Sequence, residues 1–140
     1  MAVKGREFRF AVGLERDGRF SAEGRDPLEP EESWTPEHLV LAALVRCSLA
    51  SLRFHAERTG ADVVGSGSAS GLVTRRESDG RYAFVEVECR LDVEVDPPPP
   101  SEEELQALVG LAERDCFVGA SLTVKPRYEW VVNSARVEPS

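Results

Sequence analysis

Two of the three cysteines in this sequence stand where thiol chemistry is possible. Cys47 lies inside a long apolar segment, and Cys116 follows about seventy residues later, at the end of a second helical pattern. A thiol at a helix boundary is presented to another thiol more easily than one inside a helix. The pair therefore suits an attacking and a resolving thiol, with the thiolate as the reactive form. The competing interpretation is that each buried cysteine is an inert, small apolar side chain.

Charged residues at two places are candidates for assisting a thiolate. Arg16 and Arg19 flank an Asp-Gly turn near the N-terminus, and either one is a candidate cation, with ordinary exposed hairpin charge as the alternative. Glu37 lies ten residues before Cys47. On a straight helix that spacing puts both on one side but roughly 15 Å apart. A break in the helix, a chain reversal or a partner subunit is needed to bring this carboxylate to the thiol.

The remaining chemistry-bearing residues favour structural roles. Cys89 falls on the core face of a predicted strand, which indicates packing. The cysteines form no CxxC motif and only two histidines, His38 and His55, are present, so no metal site and no cofactor are expected. We expect both histidines at the surface or at helix ends.

Composition bounds the class of protein. The chain has 140 residues and a formal net charge of −8, which predicts a single domain over 1–140 and argues against a nucleic-acid or anionic-membrane surface. The longest uninterrupted apolar run, 39–45, is too short to span a bilayer, and the first ten residues lack the apolar core of a signal peptide. We therefore expect a cytoplasmic protein without a membrane partner.

The segment 33–60 is predicted to be the central helix. Pro36 suits a first helical position, Gly60 a left-handed stop, and apolar residues occupy almost the whole circumference between them. Such a helix needs cover on more than one side. A homodimer that wraps it is the simplest solution, and a helix packed wholly within a monomer is the alternative.

The other elements predict an α+β fold with antiparallel strands and two long helices. A hairpin over 8–22 turns at 16–19, and 61–73 forms a weak strand. Strict alternation over 82–95 predicts a strand with one face on the core. Ser101 and Glu104 form a capping box for a second helix, and 121–132 alternates as a last strand, where Pro126 favours a sheet edge.

These features together resemble the OsmC/Ohr family of osmotically inducible and organic hydroperoxide resistance proteins. The residues that carry the resemblance are Pro36, Glu37, Leu39, Ala42, Ala43 and Cys47 in one helix, then the run 112–116 with Ser121 and Leu122. The resemblance covers most of the chain. It implies an OsmC-like intertwined homodimer, with a long buried central helix, a second helix and two active sites at the subunit interface.

The resemblance also implies residue roles. Cys47 would be the peroxidatic thiol, oxidised to a sulfenic acid by an organic hydroperoxide, and Cys116 would resolve it as a disulfide that an external thiol reductant resets. Glu37 would hold Arg16, whose guanidinium lowers the pKa of the thiol. One position departs from the family: Phe117 follows Cys116, where the family commonly has proline.

Two other functions remain open on the sequence. A non-catalytic member of the same fold would bind a small apolar ligand in a dimer pocket lined by the apolar helix. A structural or partner-binding dimer would have unreactive cysteines and no ligand. The reductant is equally open, among dihydrolipoamide-type, thioredoxin-type and low-molecular-weight thiols.

Overall fold

A computed structural model of the chain describes residues 5–140 and divides into two compact units, the first ending at Thr35 and the second running from Pro36 to Ser140. The first unit holds a hairpin of β1 (Val12–Leu14) and β2 (Phe20–Ala22), paired antiparallel. Gly18, in the turn between them, has a φ of +90° that favours glycine. The predicted hairpin is confirmed, with a shorter first strand. The prediction of one domain stays a prediction.

The second unit is a four-stranded sheet with helices. Its strands are β3 (Asp62–Arg75), β4 (Tyr82–Asp96), β5 (Arg127–Val132) and β6 (Ala135–Val137), in the spatial order β3-β4-β5-β6. Its helices are α1 (Pro36–Glu57), α2 (Glu102–Arg114) and α3 (Phe117–Ser121). The first helix packs against β3, β4, α2 and α3. The α+β class predicted from the sequence is confirmed.

The alternating strand predicted over 82–95 is observed as β4. One face of β4 is buried and the other is exposed, and the buried residues are Val87, Cys89, Leu91, Val93 and Val95. Alternate side chains of a strand point to opposite faces, so this face meets the helices while the charged face meets water. Cys89 therefore lies in the core, as predicted.

The sheet is mixed rather than wholly antiparallel. β4 pairs with β5 in parallel, while β3 with β4 and β5 with β6 pair antiparallel. Parallel neighbours need a long crossover, and α2 with α3 supplies it. The expected edge position of Pro126 is wrong, because β5 lies between β4 and β6. Pro126 directly precedes the strand, so its missing N–H removes no hydrogen bond from the sheet.

The ends of the helices follow the predicted chemistry. Ser101 is the N-cap of α2 and its hydroxyl accepts from the Glu104 N–H at 3.1 Å. After α1, Gly60 has a φ of +84° and its N–H donates to the Glu57 carbonyl at 3.0 Å. These caps fix where the two long helices start and stop.

Burial of α1 is partial within the described residues. One stripe is buried, made of Leu44, Ser48, Ser51, Leu52 and Ala56, whereas the opposite side is exposed, including Phe54 at 53%. Among residues 5–140, α1 is the one helix long and apolar enough to suit a membrane span, a test that core helices of soluble proteins also pass. The sequence predicts that α1 is covered on more than one side. The sheet and α2 cover only one side of it.

Replacing Leu91 with alanine should destabilise the second unit. Leu91 is fully buried on β4, and such a truncation costs about 2–5 kcal/mol through lost burial and the cavity left behind. Urea denaturation followed by circular dichroism measures the loss. The control is Leu72→Ala, on β3 with a side chain 49% exposed, which should cost about 1 kcal/mol or less. Equal losses in the two variants would contradict the placement of the core on this face.

Candidate thiol site

The thiols of Cys47 and Cys116 are near neighbours, and each one changes the pKa of the other. Cys47 belongs to α1 and is partly buried, whereas Cys116 is fully buried as the N-cap of α3. Both are free thiols. The two cysteines that the sequence singled out therefore lie together, where α1 packs against α3.

Backbone N–H groups at the start of α3 point at this sulfur pair. The amides of Val118 and Phe117 lower the pKa of the Cys47 thiol. The amide of Gly119 donates to the Cys116 sulfur at 3.4 Å. An N–H donor favours the charged form of a group that accepts from it. The chain reversal after α2 thus presents three donors to two thiols.

Ser48, next to Cys47, lies at the centre of a hydroxyl and thiol network that the sequence did not indicate. Its Oγ donates to the Leu44 carbonyl at 2.8 Å and lies 3.5 Å from the Cys116 sulfur and 3.3 Å from the Tyr128 hydroxyl. The Cys89 thiol donates to the same oxygen at 3.9 Å. Ser48 is fully buried, so its hydroxyl bonds to protein groups rather than to bulk water.

Tyr128 is held in place by its neighbours. Its ring stacks on that of Trp130, with centroids 5.7 Å apart and an interplanar angle of 11°, and the Trp130 indole N–H donates to Glu113 at 3.0 Å. A Cβ at Gly119 would lie 2.9 Å from the Tyr128 hydroxyl and 3.4 Å from the Cys116 sulfur. The absence of a side chain at Gly119 lets the phenol approach the thiol.

The two thiols differ in acidity. Burial raises the pKa of the Cys47 thiol above its ordinary value, and the donors from α3 offset this only in part. Burial also opposes ionisation of Cys116, but the hydrogen bonds to its sulfur outweigh burial and lower its pKa. In order of size, those bonds come from the Ser48 hydroxyl, the Gly119 N–H, the Cys47 thiol and the Tyr128 hydroxyl. Within this pair the negative charge is best accommodated on Cys116.

Cys89 and Tyr128 stay protonated near neutral pH. Burial raises the pKa of Cys89 to about 11. Burial also raises the pKa of Tyr128 well above its ordinary value. A thiol with such a pKa holds almost no thiolate at pH 7 and is a poor nucleophile. This agrees with the packing role predicted for Cys89.

Glu37 and Arg16, the charged residues predicted for the site, are separated from Cys47 in the sequence. Glu37 is exposed in the first turn of α1, and this helix is continuous through Cys47, so neither a break nor a reversal brings the carboxylate to the thiol. Arg16 lies in the exposed turn of the first unit. Of the two arginines there, Arg19 pairs with Asp17 at 2.8 Å, whereas Arg16 forms no ion pair among residues 5–140. Roles for Glu37 and Arg16 stay predictions.

His55 and Asp115 form a further contact beside the thiols. The His55 Nε2 atom lies 2.8 Å from the Asp115 carboxylate, and the histidine side chain is only 13% exposed. His55 is in the last turn of α1, as expected, but it is not a surface residue. The contact joins the end of α1 to the C-cap of α2, immediately before Cys116. Sixty residues separate the pair, so no local pattern indicates it.

Two surface clefts have volumes near 500 and 470 Å³, and neither is lined by a residue of α1. The smaller cleft borders the thiol network at Gly119 and Tyr128. An apolar pocket lined by α1 for an organic substrate therefore stays a prediction.

Comparison with known proteins identifies the family. Residues 29–130 match the model of the OsmC-like protein family, so the chain belongs to this family. No curated protein matches it.

Solved structures share the fold. An OsmC-like protein of unknown function from Vibrio cholerae aligns with a TM-score of 0.70 at 17% identity, covering 91% of this chain and 100% of its own. The organic hydroperoxide resistance protein OhrB of Bacillus subtilis aligns with a TM-score of 0.53 at 19% identity, covering 87% and 96%. An organic hydroperoxide resistance protein OsmC from Legionella pneumophila gives 0.56 at 18%, covering 91% and 98%. At these identities the similarity shows the fold alone.

Asp115→Asn should destabilise the fold in a pH-dependent way. Arg114 and then His55 hold the pKa of Asp115 below its ordinary value of 3.8, so the ionised carboxylate stabilises the folded state above that pH. The stability deficit of the variant should be full at pH 7 and shrink as the pH falls below about 4, through the lowered pKa. Urea denaturation at several pH values measures it. Asp92→Asn, at an exposed residue of β4, is the control, and a pH-independent deficit at Asp115 would contradict the ion-pair role.

Proposed function

We propose that this protein is a thiol-dependent peroxidase that reduces organic hydroperoxides. The observation that carries the proposal is the proximity of two free thiols of unequal exposure, Cys47 partly accessible and Cys116 fully buried. A peroxide can reach the first, and the second is positioned to resolve the product. Such a pair, supplied with backbone donors, fits redox chemistry better than inert packing.

The proposed cycle has three steps. The Cys47 thiolate attacks one oxygen of the peroxide, the O–O bond breaks, and the alcohol leaves after taking a proton, so that Cys47 becomes a sulfenic acid. The Cys116 thiolate then attacks the Cys47 sulfur and expels hydroxide, which is protonated to water, and the disulfide forms. An external dithiol finally reduces the disulfide to two thiols and is itself oxidised to a disulfide.

Arg16 and Glu37 complete the proposed site. Burial raises the pKa of Cys47, so a cation beside it would be needed to form the attacking thiolate at neutral pH. Arg16 suits this role better than Arg19, which already pairs with Asp17 and Glu29. Because Glu37 lies about three turns before Cys47 on one continuous helix, we place Glu37 of the partner subunit at the thiol of this chain, within a homodimer.

The exposed side of α1 supports this homodimer. Ala42, Ala43, Ala50 and Phe54 are exposed there, and apolar surface of this kind on a central helix is stabilised by burial against another apolar surface. Two of the structurally similar proteins are named as organic hydroperoxide resistance proteins, which favours an organic peroxide over hydrogen peroxide as the substrate.

Treatment of the reduced protein with one equivalent of cumene hydroperoxide should remove two thiols per chain. Intact mass should fall by about 2 Da, because disulfide formation removes two hydrogen atoms, whose electrons reduce the peroxide, and peptide mapping should join Cys47 to Cys116. The same equivalent of hydrogen peroxide should react more slowly. Three intact thiols would overturn the proposal and favour a small-ligand-binding member of the fold. In that case native mass spectrometry should show a retained apolar ligand.

Cys47→Ser should abolish peroxide consumption, because the attacking thiol is lost. Cys116→Ser should leave the first oxidation intact and trap the sulfenic acid, detectable with dimedone. The matched control is Cys89→Ala, which removes a buried thiol of low reactivity and should keep turnover close to wild type. Turnover that survives in Cys47→Ser would contradict the assignment of Cys47.

Mixing two inactive variants tests the shared site. A Cys47→Ser chain paired with a Glu37→Ala chain forms one complete site if the carboxylate acts across the interface. Random exchange of equal amounts makes half of the dimers mixed, each with one working site of two, so about a quarter of wild-type activity should return. Activity no higher than the average of the two separate variants would place Glu37 and Cys47 of the same chain together, or would remove Glu37 from the site.

A further inference from the structure

We propose that Ser48 and Tyr128 are positioning residues that hold Cys116 as the leaving thiolate when the Cys47–Cys116 disulfide is reduced. This inference rests on the proposed function and addresses its recycling step. It assigns a role to two hydroxyl groups, from α1 and β5, that lie 3.3 Å apart and are eighty residues apart in the chain. The Ser48 hydroxyl lies 3.5 Å from the Cys116 sulfur. Neither residue was expected from the sequence.

The accessibility of the two sulfurs sets the direction of reduction. Cys116 is fully buried and Cys47 is partly exposed, so an external thiolate reaches the Cys47 sulfur of the disulfide. As the new S–S bond forms there, the old one breaks and its electron pair passes to Cys116. The second thiol of the dithiol then displaces Cys47 and leaves as a cyclic disulfide. A leaving thiol that is better stabilised as a thiolate leaves faster.

The hydroxyl of Ser48 is arranged to take up this charge. It has one proton and several neighbours, and the shortest contact is donation to the Leu44 carbonyl at 2.8 Å. A carbonyl oxygen only accepts, so the Ser48 proton is used there, and in the reduced, neutral site the Ser48 oxygen can accept from the Cys116 S–H at 3.5 Å. Rotation of the same hydroxyl turns its proton to the sulfur once Cys116 is charged. Charge-assisted bonds of this kind are stronger than the neutral bond given up.

Tyr128 is the second residue of the proposal, and its neighbours hold it beside Ser48. Its phenol oxygen lies 3.3 Å from the Ser48 Oγ, and its ring is fixed by stacking on Trp130. Gly119 leaves room for the phenol and adds its own N–H to the sulfur at 3.4 Å. The Ser48 hydroxyl and the Gly119 N–H therefore both lie within reach of the fully buried Cys116 sulfur. A donor placed in advance costs no reorganisation when the charge appears.

The test follows the ionisation of each cysteine separately. Protein labelled with ¹³C at cysteine Cβ gives three signals, assigned with single cysteine variants, whose chemical shifts report thiolate formation even for a buried sulfur. In Ser48→Ala the titration midpoint of Cys116 should rise by about one pH unit, a tenfold fall in its acid dissociation constant. Tyr128→Phe should shift it in the same direction by less, and Ser48→Thr should restore it.

A second readout measures the recycling step itself. The disulfide is formed in each variant with diamide and then reduced by dithiothreitol under pseudo-first-order conditions across pH 6–9. Ser48→Ala should slow reduction several-fold. The matched control is Ser51→Ala, which removes another buried hydroxyl of α1, bonded to the Ala112 carbonyl at 2.8 Å, and should change neither readout.

The outcomes separate this inference from the proposed function. Unchanged Cys116 titration and reduction rate in Ser48→Ala would overturn it, as would an equal effect in Ser51→Ala, which would indicate packing alone. Because diamide makes the disulfide without a peroxide, both readouts stand even if the protein fails to consume hydroperoxide. A protein that reacts with cumene hydroperoxide but shows no Ser48 effect keeps the proposed function and loses this role for the hydroxyls.

Discussion

The close approach of α1 to the start of α3 determines what this fold can do. At this point Cys47 lies near Cys116, the Gly119 amide donates to the Cys116 sulfur, and the amides of Phe117 and Val118 lower the pKa of Cys47. The approach depends on small groups: Gly119 has no side chain to separate the phenol of Tyr128 from the thiol. A larger residue there would push apart the groups that meet at Cys116.

The mixed sheet supplies the other half of the site. Because the α2 and α3 crossover returns the chain parallel to β4, Tyr128 of β5 stands in register with Cys89 of β4, and both face the helices. Burial of so many polar groups is costly unless each is bonded. Among the described residues, no buried side-chain nitrogen or oxygen lacks a hydrogen-bond partner. The hydrogen bonds around Ser48 thus offset the cost of burying its hydroxyl, and they leave donors close to Cys116.

The sequence predicts the features that arise from local patterns. The long apolar helix, the alternating β4, the Ser101 cap and the stop at Gly60 each follow from a few adjacent residues, and all are confirmed. The two cysteines were found because thiols are rare and chemically distinctive. The parallel pairing of β4 with β5 and the Ser48–Tyr128 contact depend on residues about forty to eighty positions apart. Serine and tyrosine are too common for their presence to indicate such pairs.

The length of α1 links the chemistry of the site to assembly. A helix that is continuous from Pro36 to Glu57 cannot bring a first-turn carboxylate to a thiol three turns on, since each turn advances the chain by about 5.4 Å. The same helix has a buried stripe on one side and exposed apolar residues on the other. A catalytic role for Glu37 therefore requires that it act on the thiol of another copy of the chain. The surface that would bring that copy into contact is the exposed side of α1. Formation of the homodimer would then bury that surface and complete the site at the same time.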